Sequence, residues 1–159
     1  MATTLRSDLK QSKPFSSPEQ EAFLNLARTA ALLEHRFGDL LKEHGITTTQ
    51  YNVLRILRGA GPDGLTRNEV RERLIAEVPD ATRLLDRLME MDLITRIRND
   101  DDRRCVTARI TTQGLELLAR LDQPVIDAHR EHFAILSWEE LATLSRLLEK
   151  IRNGISEIY

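Results

Sequence analysis

Apolar residues recur at alternating steps of three and four from Phe23 through Leu26, Ala30, Leu33 and Phe37 to Leu40. That spacing predicts a long amphipathic helix, with Glu21, Arg28, Glu34 and Lys42 largely off the stripe. Ser17 is placed to cap it, Pro18 to take the first helical position, and Gln20 to complete a capping box. Gly45 is the expected stop. Residues 1–16 are polar, with Pro14 near their end, and are expected to form a mobile arm.

Thr47, with Gln50 three residues on, marks a second capping box and a shorter helix carrying Tyr51, Val53, Leu54, Ile56 and Leu57. Gly59 to Gly64 reads as a loop. Leu65 adds one or two residues of strand before Thr66 and Glu69 cap a third helix, expected to turn Val70, Leu74 and Ile75 inward. After a short turn at Glu77 and Val78, Pro79 opens a fourth helix that runs to about Met91. Two short helices around a tight turn make a helix-turn-helix arrangement.

The pattern then changes period. Leu93–Ile97 and Cys105–Ile110 are β-rich, and the charged run from Asn99 to Arg104 between them is too polar for a core, so the segment predicts a hairpin. A long helix follows from Thr111–Thr112 through Leu115, Leu117, Leu118, Leu121, Val125 and Ile126, with a kink expected at Pro124. Ser137 and Glu140 form another capping box before a last helix carrying Leu141, Leu144, Leu147, Leu148, Ile151, Ile155 and Ile158. The fold class is therefore mainly α with a small β-wing. The central part can fill only one small core, so apolar stripes at both chain ends need another cover, and a second copy is the simplest one.

Composition narrows the class. Of 159 residues, 41% are hydrophobic and 30% charged, which suits a helical globular protein rather than a disordered one. A single cysteine rules out an internal disulfide and fits a reducing, cytoplasmic compartment. No apolar run approaches the ~18 residues of a membrane span, and the first residues lack an apolar signal core. No nucleophile elbow, P-loop, dinucleotide fingerprint or well-set carboxylate pair occurs, so neither catalysis nor a cofactor is expected.

A net charge of −2 and a pI near 6.1 do not advertise nucleic-acid binding, so any such signal has to be local. Residues 66–112 hold ten arginines (67, 71, 73, 83, 87, 96, 98, 103, 104 and 109) against ten acids, while all four lysines lie elsewhere. Arginine's planar fork suits phosphates and guanine edges. Ordinary surface pairing is the competing explanation, above all for Asp86 and Arg87. On the fourth helix, Leu84, Leu85, Leu88 and Met91 form the expected buried side. Asp80, Thr82, Arg83, Asp86 and Arg87 are left to the other, the pattern of a helix read against base edges in a major groove. Arg103 and Arg104 project from the narrow hairpin tip, a shape that reaches an adjacent minor groove.

Thr82-Arg83-Leu84-Leu85-Asp86-Arg87-Leu88, then Leu93-Ile94-x-Arg96, then Asp102-Arg103-Arg104, then Ile110-Thr111-x-x-Gly114 resemble the MarR family of winged-helix transcription regulators. The resemblance extends over roughly Glu19 to Ile155. It implies a winged helix-turn-helix DNA-binding lobe at about 47–112, within a MarR-type domain at 17–159, and dimerisation helices at about 17–45 and 112–159. It also implies that Arg104 enters the minor groove with Asp102 bracing it, that Thr82 and Arg83 begin the recognition helix, and that the partners are double-stranded DNA and a second copy. A small phenolic or other anionic effector is a further implied partner, and Phe37 and Tyr51 are candidates to line its pocket. One departure is Asp92, which stands where the family usually has a helix-ending glycine; Asp tolerates the left-handed conformation better than most residues.

Three further residue sets have bland explanations beside sharper ones. Cys105 is a small strand residue or, with Arg103 and Arg104 nearby, an activated thiol. His129 and His132 share one helical face and are metal-ligand candidates, but a pair alone is too sparse for a site. Trp138, in the first turn of the last helix, is expected to be a packing anchor rather than a surface on which a ligand stacks. The expectation is a ligand-responsive homodimeric repressor; a winged-helix protein-interaction or ligand-carrier module and a metal-responsive regulator are the alternatives.

Overall fold

The computed structural model describes residues 4–98 and 106–156. The elements are α1 (Leu5–Asp8), α2 (Pro18–Lys42), α3 (Thr48–Ala60), β1 (Leu65–Thr66), α4 (Arg67–Arg73), α5 (Ala81–Glu90), β2 (Ile94–Arg98), β3 (Val106–Ile110), α6 (Thr112–His132) and α7 (Trp138–Ser156). They divide into two compact units, Met1–Ala119 and Arg120–Tyr159, and the division falls within α6.

In the first unit, β1, β3 and β2 form an antiparallel sheet in that order. Leu65 stands opposite Ala108, and Ile94 opposite Ile110. Helices α3 and α4 pack on β3, and α5 packs on β2. The core gathers Val53, Leu54, Leu57, Val70, Leu85, Leu88 and Ile94, all buried. This is the mainly helical fold with a small wing sheet that the periodicity predicts. Gly64, at φ 70°, is needed where β1 begins, because a Cβ there would overlap the Ala108 carbonyl oxygen.

The helix starts follow the capping chemistry. Thr47 with Gln50 forms the expected reciprocal box, as does Thr66 with Glu69. The start of α2 differs in detail: Ser17 accepts from the Gln20 N–H, but the Gln20 side chain reaches past Ser17 to the N–H of Ser16 at 2.7 Å and to its hydroxyl at 2.8 Å. Within the expected arm, Leu5–Asp8 form one helical turn capped by Thr4. Leu5 is buried, and the Arg6 guanidinium donates to the carbonyls of Gln11 and Ser12.

Two boundaries depart from the sequence reading. Helix α4 ends at Arg73, Leu74 turns extended, and Ile75 is 89% exposed rather than inward. The reason is a tether: the Ile75 N–H donates to Asn52 Oδ1 at 3.0 Å, which holds the turn on α3 after the helix has ended. Helix α5 begins at Ala81 rather than Pro79, because the Asp80 carboxylate accepts from the Arg83 N–H at 2.9 Å. An aspartate is a stronger start signal than a proline, and its charge also meets the positive end of the helix dipole. In addition, α3 runs past Gly59 to Ala60 before a 3-10 turn at Gly61–Asp63.

Helices α2 and α5 both end in the same double hydrogen-bonded turn. At α2, the Ile46 N–H reaches the Leu41 carbonyl and the Gly45 N–H the Lys42 carbonyl. At α5, Leu93 reaches Leu88 and Asp92 reaches Met89. The residue that must turn left-handed is Gly45 (φ 76°) in the first and Asp92 (φ 56°) in the second. The glycine-like geometry expected at Asp92 is therefore present.

Along α2 only Leu41 is buried; Phe23, Leu26 and Leu32 are exposed. In the second unit, α6 continues through Pro124 to His132 without interruption. Ser137 and Glu140 make the expected reciprocal cap of α7. No residue described in α7 is buried, and Leu144, Leu147, Ile151 and Ile155 are all exposed. Trp138, expected as a packing anchor, is 81% exposed and anchors nothing within the chain. Among the described residues, no helix is long and apolar enough to cross a membrane.

Candidate nucleic-acid interface

The helix-turn-helix consists of α4, the tethered turn and α5. Helix α5 is anchored by Ala81, Leu85 and Leu88, all buried. With that face fixed, the 3.6-residue repeat turns Thr82, Arg83 and Arg87 outward, and all three are exposed. Of the outer face read from the sequence, Asp86 is half-buried and paired to β2, and of the expected buried side Leu84 and Met91 are only half-buried.

The candidate residues along it are not equivalent. The Asp80 carboxylate is engaged in capping α5, so its immediate work is to orient the helix start. The Thr82 hydroxyl accepts from Arg67 Nη1 at 3.2 Å. Arg87 pairs with Glu90 at 2.9 Å, but both side chains are well exposed; such a pair is held weakly and can be exchanged for a phosphate. Asp86 pairs at 2.6 Å with Arg96 of β2, whose other terminal nitrogen donates to the Thr82 carbonyl at 3.4 Å. Among the described residues, Arg83 has no ion-pair partner.

Asp102, Arg103, Arg104 and Cys105 lie outside the described residues. The strands that lead to them are paired up to Arg98 opposite Val106.

The start of α4 is fixed by Glu69. Its carboxylate accepts from the Thr66 hydroxyl at 2.7 Å and from the Thr66 N–H at 2.8 Å. These bonds hold it below the usual carboxylate range, the hydroxyl contributing most. Phe37 and Tyr51 do meet, edge to face, with ring centroids 5.5 Å apart. Tyr51 is buried, and the Arg55 guanidinium lies 6.0 Å from its ring centre. This contact joins α2 to α3. His129 and His132 stand in the last turn of α6, and His35 lies 3.8 Å from Asp39 on α2. Among the described residues, no group of three or more His, Cys, Asp or Glu side chains gathers as a metal site would require.

Sequence reasoning missed the two residues that hold α5 from outside, Arg67 and Arg96, and the Asn52 tether. Arg96 carried a signal as part of the hairpin pattern, but nothing local named its partner. Arg67 and Asn52 carried none.

A three-stranded wing sheet behind a helix-turn-helix, with an exposed arginine-bearing second helix, defines a winged helix-turn-helix protein. The sequence profile of the MarR family matches residues 44–104. The multiple antibiotic resistance protein MarR of Salmonella typhimurium is 37% identical over 107 residues, covering 67% of this chain and 73% of that protein. Among solved structures, a MarR transcription factor from Planctomyces limnophilus is 37% identical with a TM-score of 0.67, over 86% of this chain and 98% of that one. Sco3205, a MarR family transcriptional regulator from Streptomyces coelicolor solved in complex with DNA, shares the fold with a TM-score of 0.77 at 21% identity, over 91% of this chain and 92% of that one. The chain belongs to the MarR family.

Proposed function

We propose that this protein is a sequence-specific DNA-binding transcriptional regulator, working as a homodimer and acting as a ligand-responsive repressor rather than as an enzyme. The observation that carries the proposal is the exposed row Thr82, Arg83 and Arg87 on a helix whose opposite face is locked by Ala81, Leu85 and Leu88. Short polar and arginine side chains at the start of such a helix suit base edges in the major groove, where an arginine fork meets guanine. Arg103 and Arg104 would reach the neighbouring minor groove, with Asp102 bracing Arg104. The Sco3205 complex with DNA supports the same use of the fold.

The exposed apolar faces of α2 and α7 support a second copy as partner, with 17–45 and 112–159 as the dimerisation segments around a lobe at about 47–112. Two-fold symmetry then sets a pseudo-palindromic operator whose half-sites lie about one turn, ~10 bp, apart. A phenolic or other anionic effector bound near Phe37 and Tyr51 would act by changing the separation of the two lobes, so that both helices no longer match the groove spacing. The acidic pI of about 6.1 favours the second reading, a winged-helix module that binds protein or ligand but not DNA.

Titrating promoter DNA at several salt concentrations tests the proposal. Arg83→Ala is expected to weaken binding and relax sequence choice; Arg104→Ala is expected to weaken it with less loss of major-groove specificity. Unchanged affinity in both variants removes these contact assignments. If the wild-type protein prefers no sequence over random DNA, the second reading replaces the first.

A further inference from the structure

We propose that Arg96 is a positioning residue that locks the first turns of α5 to wing strand β2, so that recognition helix and wing present themselves to DNA as one rigid unit. The proposal rests on the DNA-binding reading and adds the device that sets the angle of the reading helix.

The argument begins with strand alternation. Ile94 faces the core and is buried, Thr95 is exposed, and Arg96 shares the inward parity of Ile94. An arginine on the core-facing side of a strand is costly unless its charge is met. Here it is met at the rim, with the side chain 27% exposed, by Asp86 at 2.6 Å and by the Thr82 carbonyl at 3.4 Å. Thr82 and Asp86 are four residues apart, so they sit one above the other on α5. One guanidinium therefore grips the helix at two levels, which restrains its rotation as well as its distance.

A second clasp acts from the other side. Arg67, the first residue of α4, donates to the Thr82 hydroxyl at 3.2 Å. Thr82 is thus held through its carbonyl by the wing and through its hydroxyl by α4. Neither arginine is needed to keep α5 helical, because Asp80 caps it and Leu85 and Leu88 bury it. What they add is orientation of the exposed row. Lysine would keep the charge of Arg96 but not the planar two-point fork.

The test uses Arg96→Gln and Arg96→Lys in the full chain. For Arg96→Gln we expect the ratio of operator to random-sequence affinity to fall about tenfold, the size of one misplaced base contact. The slope of log affinity against log salt should stay unchanged, and Arg96→Lys should not restore the ratio. A phosphate contact would do the opposite: both affinities would fall together, the slope would drop by about one, and lysine would restore binding. That result overturns the proposal.

Amide hydrogen exchange of residues 83–88 in the DNA-free protein supplies a readout independent of DNA. Arg96→Gln is expected to speed exchange there roughly tenfold while the melting temperature barely moves. Unchanged exchange overturns the proposal even if operator binding is intact. Faster exchange in a protein whose wild type prefers no DNA sequence supports the clasp and removes the DNA-binding reading instead.

Discussion

A Cβ placed on Gly114 would overlap the carbonyl oxygen of Leu93. These two residues join the end of α5 to the start of α6. The Thr111 hydroxyl donates to the Asp92 carbonyl at 2.7 Å and accepts from the Gly114 N–H at 3.1 Å, while the Thr111 N–H donates to Leu93 at 3.1 Å. The Thr-x-x-Gly pattern after β3 is therefore a junction: the threonine caps one helix while holding the end of another, and the glycine lets the two backbones approach.

Gly114→Ala follows directly. Within a helix, alanine gains ~1 kcal/mol over glycine, but overlap with an anchored backbone atom costs about 1–3 kcal/mol. Ile110 Cγ1 would also stand only 2.7 Å from the new carbon. The expected outcome is net destabilisation in urea unfolding. A more stable variant would show that the junction yields easily.

Asp92 offers the opposite change. It adopts φ 56° in a turn whose twin at Gly45 uses glycine. Asp92→Gly relieves the left-handed penalty but loosens the unfolded chain, and the first effect is the larger for a non-glycine residue. A gain of about 0.5–1 kcal/mol is expected in equilibrium unfolding. The bond from Thr111 is to the Asp92 backbone and survives the change. Reduced stability would mean that the aspartate side chain has a stabilising role of its own.

How much could be read from residues alone depended on the range of the interaction. Caps at Thr47, Thr66 and Ser137 were legible because each closes within three residues. The outward face of α5 was legible because helical periodicity needs only the apolar positions. Ile75 was not, since apolar spacing continues past the point where Asn52 pulls the chain out of helix. Asp80 was half legible: it fell near the helix start, but with Pro79 read as the first residue it was placed on the outer face rather than at the cap, and both places call for the same residue type. Arg96 with Asp86 was out of reach, because a strand and a helix must first be packed before that pair exists.

The capping boxes predict acid sensitivity. Hydrogen bonds to its box partner hold Glu69 below its usual value near 4.5, the Thr66 hydroxyl contributing most; Glu140 is lowered likewise, chiefly by the Ser137 N–H. A carboxylate with a depressed folded-state pKa contributes stability above its unfolded value and loses it as pH falls through the folded one. Stability should therefore decline below about pH 4.5. Glu69→Gln keeps a neutral acceptor and should flatten that decline, read as unfolding free energy against pH. An identical slope in the variant would place the acid sensitivity elsewhere.

The second-copy proposal is tested on α7. Leu147 and Ile151 are four residues apart, on one face, 46% and 50% exposed in the single chain. A charge there should leave the helix intact, because none of its described residues is buried within the chain. Ile151→Glu is therefore expected to give a folded monomer by sedimentation, with unchanged helical circular dichroism. Joining two half-site contacts raises affinity by about 10²–10⁴, so operator binding should fall by roughly a hundredfold. Binding to a single half-site should be little changed, because the proposed contacts Thr82, Arg83 and Arg87 lie on α5 and not on α7. A variant that stays dimeric would move the interface off this face of α7. A monomer that binds the full operator as tightly as wild type would show that dimerisation is not what sets affinity.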